Sequence, residues 1–269
     1  MCELSFDNVF LVYRKDNNEV QALDGLSFSV ESGASVAIIG PSGCGKSSLL
    51  KMACGLISPT SGSVSIDGAP IDKPRSETAF IPQDFGILPW KSVQANAELG
   101  LKMRHVARRE RSQKAASVLG SLGLGEFARS YPSQLSGGMK QRLALARALA
   151  LDVDLLLMDE PLSALDSLLR EQIQDMLLEL WREKGYAQIM VTHSIEEAVF
   201  LGERIIIMDS RPGKVIAQID NSEMGSISYR QSATFHDRCD EIRLLLMEKK
   251  PEKCAFDASC QLEEGEGVA

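Results

Sequence analysis

A chain of 269 residues, 44% of them hydrophobic, has enough apolar material for one large domain or two small ones around a buried core. Its formal net charge of −8 argues against nucleic-acid binding as its main task, because phosphate contacts need clustered lysine and arginine. No stretch reaches the apolar length of a membrane span, and the N-terminal Met-Cys-Glu-Leu-Ser lacks the basic and apolar parts of a signal peptide. A cytoplasmic chain is expected, with its six cysteines (Cys2, Cys44, Cys54, Cys239, Cys254 and Cys260) as free thiols.

The first elements read as strands. Leu4, Phe6 and Val9 begin one apolar run, and Leu26, Phe28 and Val30 alternate with Ser27 and Ser29 as in a half-buried strand. Residues 35–39, Ser-Val-Ala-Ile-Ile, form a short apolar run typical of a buried strand. Directly after it comes Gly40-Pro-Ser-Gly-Cys-Gly-Lys-Ser47, which fits the phosphate-binding spacing G-x-x-x-x-G-K-[ST]. Glycines let the backbone curl until successive N–H groups point at phosphate oxygens; Lys46 can then reach the β and γ phosphates and Ser47 can offer a hydroxyl to Mg²⁺. The nucleotide-binding set is Gly40, Pro41, Ser42, Gly43, Cys44, Gly45, Lys46, Ser47 and Ser48. Leu49, Leu50 and Ala53 give the following residues, 46–56, a helical pattern, and alkylation of Cys44 inside the loop is expected to block nucleotide entry.

Short strands follow at 63–68 and 78–82. From about residue 92 to 150 the pattern turns helical, with Val93, Ala97 and Leu101 on one face and Ala115, Val118, Leu119 and Leu122 on another. Gly120, Gly123 and Gly125 divide this region into several helices, and the basic cluster 104–114 reads as a solvated helix face. Leu135-Ser-Gly-Gly-Met-Lys-Gln-Arg142 then precedes an alanine- and leucine-rich helix over 142–150. Ser136 is a suitable N-cap, and a helix start with free N–H groups suits a phosphate.

Beyond residue 152, strands at 154–159, 187–191 and 204–208 alternate with helices at 165–183 and 195–201, which implies a parallel sheet with crossover helices. The run Leu155-Leu-Leu-Met-Asp-Glu-Pro161 delivers two adjacent carboxylates at a strand end: Asp159 to orient Mg²⁺ and Glu160 to polarise an attacking water. Phe235, Cys239, Ile242 and Leu246 fall at helical spacing. Beyond Lys250 the polar, acidic composition predicts a disordered tail, with Cys254 and Cys260 as ordinary tail residues.

In this order the motifs resemble those of an ATP-binding-cassette ATPase, the nucleotide-binding subunit of an ABC transporter, over roughly residues 3–217. The phosphate loop is followed by Gln83 in Ile-Pro-Gln-Asp-Phe, the Leu-Ser-Gly-Gly signature, the acidic strand, Ser163-Ala-Leu-Asp166 and His193 in Val-Thr-His-Ser. The resemblance implies an α/β P-loop NTPase cassette: a RecA-like core, an N-terminal antiparallel β subdomain and an inserted α-helical subdomain at about 88–150. The ATPase domain would occupy 1–220, with a helical extension at 221–250. It implies ATP and Mg²⁺ as cofactors, the ion held by Ser47, Gln83 and Asp159, and catalysis by Glu160, His193, Gln83 and Lys46. Tyr13 would stack on adenine, with Phe10 the other possibility. Ser136, Gly137 and Gly138 would meet the nucleotide of a second copy in a head-to-tail homodimer, with Asp166 coupling the two sites.

Phe85-Gly-Ile-Leu-Pro-Trp90, Met139 in the signature and Ser210-Arg-Pro-Gly-Lys214 further resemble the importer ATPases of the nitrate, sulfonate and taurine group. That group implies integral membrane permease subunits, an extracytoplasmic solute-binding protein, a small anionic nutrient and a peripheral place on the cytoplasmic face of the membrane. Trp90 then either meets the permease or fills the helical subdomain. The competing classes are an ABC exporter ATPase and a soluble ABC ATPase without a transport role.

Overall fold

Ten strands, eight α-helices and three short 3-10 helices make up the computed structural model, which describes residues 2–15, 18–209 and 212–248. Six strands form the central sheet, in the order β10 (Val215–Asp220), β9 (Arg204–Met208), β3 (Ser35–Ile39), β8 (Ala187–Thr192), β7 (Leu155–Asp159) and β6 (Thr78–Ile81). Neighbours from β9 to β6 run parallel, as the alternation of strand and helix predicts; β10 closes one edge antiparallel to β9. A second, antiparallel sheet has the order β2 (Asn18–Val30), β1 (Leu4–Lys15), β4 (Ser61–Ile66), β5 (Ala69–Pro70).

The inner strands of the central sheet are buried on both faces, which is why they read as continuous apolar runs rather than as alternations. Period-two geometry divides their side chains between two cores. Val36, Ile38, Leu155, Leu157, Ile189 and Ile206 face a core shared with the antiparallel sheet; Ala37, Ile39, Leu156, Met158, Met190 and Ile205 face the helical side. Helix α1 (Lys46–Ala53) lies in the first core, burying Leu49, Leu50 and Met52 between the two sheets.

The opposite core is filled by α2 (Val93–Ala97), α4 (Arg108–Ser121), α5 (Gly137–Leu149), α6 (Ser167–Lys184), α7 (Ile195–Leu201) and α8 (Ala233–Glu248), with α3 (Leu99–Met103) beside them. Asn96, fully buried, ties the entry to α2 by donating to the carbonyls of Leu88, Lys91 and Ser92 and accepting from Leu88 N. Much of the 104–114 basic cluster is engaged: Arg111 pairs with Glu98 at 3.0 Å and Lys114 with Asp152 at 3.0 Å. None of the helices among the described residues is long and apolar enough to cross a membrane.

Three element boundaries differ from the sequence reading. Helix α1 stops at Ala53 rather than 56, because Gly55 turns the chain at φ +73°. Helix α5 begins at Gly137, five residues early, so the signature glycines form its first turn. Strand β10 has no counterpart in the predicted elements; its residues 215–220 gain their order from pairing with β9. The tail with Cys254 and Cys260, and Ser210 and Arg211 of the last motif, lie outside the described residues.

Candidate active site

The phosphate-binding sequence spans the turn from β3 to α1. Gly45 caps α1 at φ +94° without a side-chain bond, so the amides of the first turn carry no competing cap. Two backbones leave no room there: a Cβ at Gly45 would come within 2.5 Å of Leu23 Cδ2, and one at Gly40 within 2.6 Å of the Met208 carbonyl oxygen. Lys46 is buried, and its Nζ donates to the carbonyls of Gly40 at 2.7 Å and Pro41 at 2.9 Å.

A cavity of about 480 Å³ opens over this loop. Ser42, Gly43, Gly45, Lys46, Ser47 and Ser48 line its floor, Tyr13, Val20, Gln21 and Ala22 one side, and Gln83 and Glu160 the other. Tyr13 Oη lies 2.9 Å from Ser48 Oγ, which fixes the ring at the loop. Phe10, the alternative aromatic, is absent from this lining; its ring lies against Gly25. A second cavity, about 650 Å³, adjoins the first at Ser47 and Gln83 and is also lined by Asp159.

Asp159 ends β7 buried and hydrogen-bonded to Ser47; burial pushes its carboxyl above the usual range, against the pull of that bond, and the Glu160 charge adds to the rise. With Gln83, these groups form a set of hard oxygen donors suited to Mg²⁺. Among the described residues no three His, Cys, Asp or Glu side chains cluster to hold a metal.

Glu160 steps out of β7 into the left-handed region at φ +49°, costly for a residue with a Cβ. Its N–H donates to the Val191 carbonyl at 2.9 Å, binding it to the neighbouring strand end. The side chain then reaches the cavity rim, where Oε2 lies 3.4 Å from Gln83 Nε2 and 3.4 Å from His193 Nδ1. His193 follows β8 through a turn in which Ser194 N donates to Thr192 Oγ1 at 3.0 Å and Thr192 donates to buried Glu197 at 2.6 Å.

Two predicted groups lie apart from this constellation. Ser136 caps α5 by accepting from Met139 N at 3.3 Å, and Ser136, Gly137 and Gly138 are outside the cavity lining. Asp166 caps α6 by accepting from Leu169 N at 3.0 Å and is likewise outside it. The thiol of Cys44 is buried in the core, near Lys46 Nζ at 3.6 Å, and burial raises its pKa. It does not line the cavity, which removes the direct route by which alkylation was expected to block entry. Trp90 is 70% exposed and does not fill the helical layer.

Gln141, Thr192 and Glu197 are buried polar residues at this site that sequence reasoning missed. Gln141 carried a usable signal: it sits one helical turn before Leu145 and two before Ala148, a polar residue on an apolar face.

Comparison with known proteins places these features in a family. The ABC transporter family model matches residues 23–163. A taurine import ATP-binding protein (TauB) of Rhizobium johnstonii is 42% identical over 253 residues, covering 91% of this chain and 96% of the relative. An aliphatic sulfonates import ATP-binding protein (SsuB) of Bacillus cereus is 40% identical over 248 residues, covering 91% and 95%. Among solved structures, the dimeric structure of MJ0796, a bacterial ABC transporter cassette, matches with a TM-score of 0.76 at 33% identity, covering 81% of this chain and 98% of that one. A post-hydrolysis state of the same cassette bound to ADP and Pi matches with a TM-score of 0.74.

Proposed function

This chain belongs to the ABC transporter family as a nucleotide-binding ATPase, and from that premise we propose that it energises import of a small anionic nutrient of the sulfonate or taurine type. The observation that carries the ATPase chemistry is the position of Glu160: its carboxylate stands at the cavity rim within 3.4 Å of both Gln83 and His193, facing the phosphate-binding turn.

In this reading Tyr13 stacks on the adenine, and the Gly45–Ser48 amides with Lys46 take the phosphates. Ser47, Asp159 and Gln83 hold Mg²⁺, which supplies neutralisation of charge on the transferring phosphoryl group. Glu160 accepts a proton from the attacking water, Gln83 orients that water, and His193 keeps the carboxylate and γ-phosphate in register.

Ser136, Gly137 and Asp166 are exposed and outside the cavity, which supports a use for them across a head-to-tail dimer, as in the dimeric cassette relative. Exposed Trp90 supports contact with a separate integral membrane permease, served by an extracytoplasmic solute-binding protein, with this subunit on the cytoplasmic face. Glu160→Gln is expected to lower hydrolysis by about 100-fold or more and to trap a dimer with saturating Mg-ATP. A variant that stays monomeric by light scattering would count against the dimer mechanism. Affinity capture from detergent-solubilised membranes tests the importer reading: a permease whose ATPase rises with a sulfonate-loaded binding protein supports it, and a fused exporter-type membrane domain overturns it.

A further inference from the structure

Gln141 is the only buried polar side chain of α5, and both ends of its amide are engaged. Nε2 donates to the Glu160 carbonyl at 3.2 Å, and Oε1 accepts from Ala164 N at 3.0 Å. The same Glu160 carbonyl accepts from Ser163 Oγ at 3.1 Å, so the strained φ +49° residue is held from α5 and from its own downstream turn. A turn earlier, Gly138 lets α5 approach that segment: a Cβ there would lie 3.3 Å from Leu165 Cδ2 and 3.4 Å from the Ala164 carbonyl oxygen. Ser136 caps the same helix. One short rigid rod therefore carries the signature serine at its start and the grip on Glu160 five residues later.

We propose that Gln141 is a positioning residue that couples the signature turn to the Glu160 carboxylate. It holds the Glu160 peptide in the left-handed conformation that aims the side chain at Gln83 and His193. A shift of the α5 start, where Ser136 would meet the partner's nucleotide, reaches Glu160 at this chain's own nucleotide through that amide. The role rests on the reading of Glu160 as the base. It needs a side chain of glutamine's length that both donates and accepts; methionine matches the length without either bond, and ionised glutamate keeps only the acceptor.

The test compares the full native chain with Gln141→Met and Gln141→Glu, in steady-state Mg-ATP hydrolysis and in ATP-dependent dimerisation with Glu160→Gln added. Gln141→Met should lower kcat about tenfold or more while KM and dimerisation stay within about twofold. Gln141→Glu should share the deficit near pH 8 and recover part of it toward about pH 6, because its buried carboxyl donates once protonated. A folded Gln141→Met with kcat within about twofold of native overturns the proposal. So does loss of dimerisation in parallel with kcat, which would make Gln141 a scaffold of the interface. If Gln141→Met does not fold, the pH dependence of Gln141→Glu decides: a deficit that does not change with pH overturns the proposal. A native chain that hydrolyses ATP while Glu160→Gln is fully active would instead remove the base assignment on which the role rests.

Discussion

Asp159 and Glu197 are carboxyls held in the wrong solvent. Burial is the leading cause that raises both, opposed at Asp159 by the Ser47 hydroxyl and at Glu197 by Thr192 and then by Arg170, whose Nε lies 3.6 Å away. Each keeps its proton to higher pH in the folded chain than in the unfolded one. The stability this supplies is complete below the ordinary range, 3.8 for Asp159, and is lost as pH rises through the raised value. Asp159→Asn should therefore raise the melting temperature of the metal-free chain at neutral pH and flatten its dependence on pH. The same substitution should abolish Mg²⁺-dependent hydrolysis. Calorimetry across a pH series, run beside the ATPase assay, checks both halves. Cys44 belongs to the same scale: a buried thiol of raised pKa offers little thiolate, so maleimide labelling should be far slower there in the native chain than in denaturant, followed by mass spectrometry.

The junction between β3 and α1 carries the element-scale argument. Gly45→Ala forces a side chain into the left-handed region and against Leu23, and should cost about 2 kcal/mol or more while weakening ATP binding about tenfold. Urea denaturation and nucleotide titration measure the two effects. This junction was fully legible in the sequence, since the loop's glycines and the apolar run of β3 are local signals. The inner parallel strands were legible for the same reason: residues buried on both faces leave an unbroken apolar run. Strand β10 was not, because its mixed Val215-Ile-Ala-Gln-Ile-Asp220 acquires strand character only from its partner β9. The far reach of the β1–β2 hairpin was missed too, where register shifts near Phe6, Val9 and Leu11 break the alternation. At the site, the candidate motif residues could be read by type and spacing, whereas Gln141 and Glu197 are tied in by contacts with segments distant in sequence or hidden in a turn.

At the scale of the whole molecule, the homodimer proposed above would bring together two like-charged bodies, each of net charge −8. The nucleotide-dependent dimer trapped by Glu160→Gln should accordingly tighten as salt rises from about 10 mM to about 150 mM, read by light scattering or sedimentation. Within one copy the architecture separates two kinds of constraint. Helix α1 is packed between two sheets, so the phosphate-binding loop is embedded in the least alterable part of the fold. Trp90, in the connection between β6 and α2, has most of its surface free. With Trp90 as the permease contact proposed above, engine and coupling face would be placed so that one can be rewritten while the other is kept: grafting a different exposed patch around Trp90 would leave the machinery of hydrolysis untouched. On that reading the subunit would be a portable motor, whose cargo could change by altering only what the motor is bolted to.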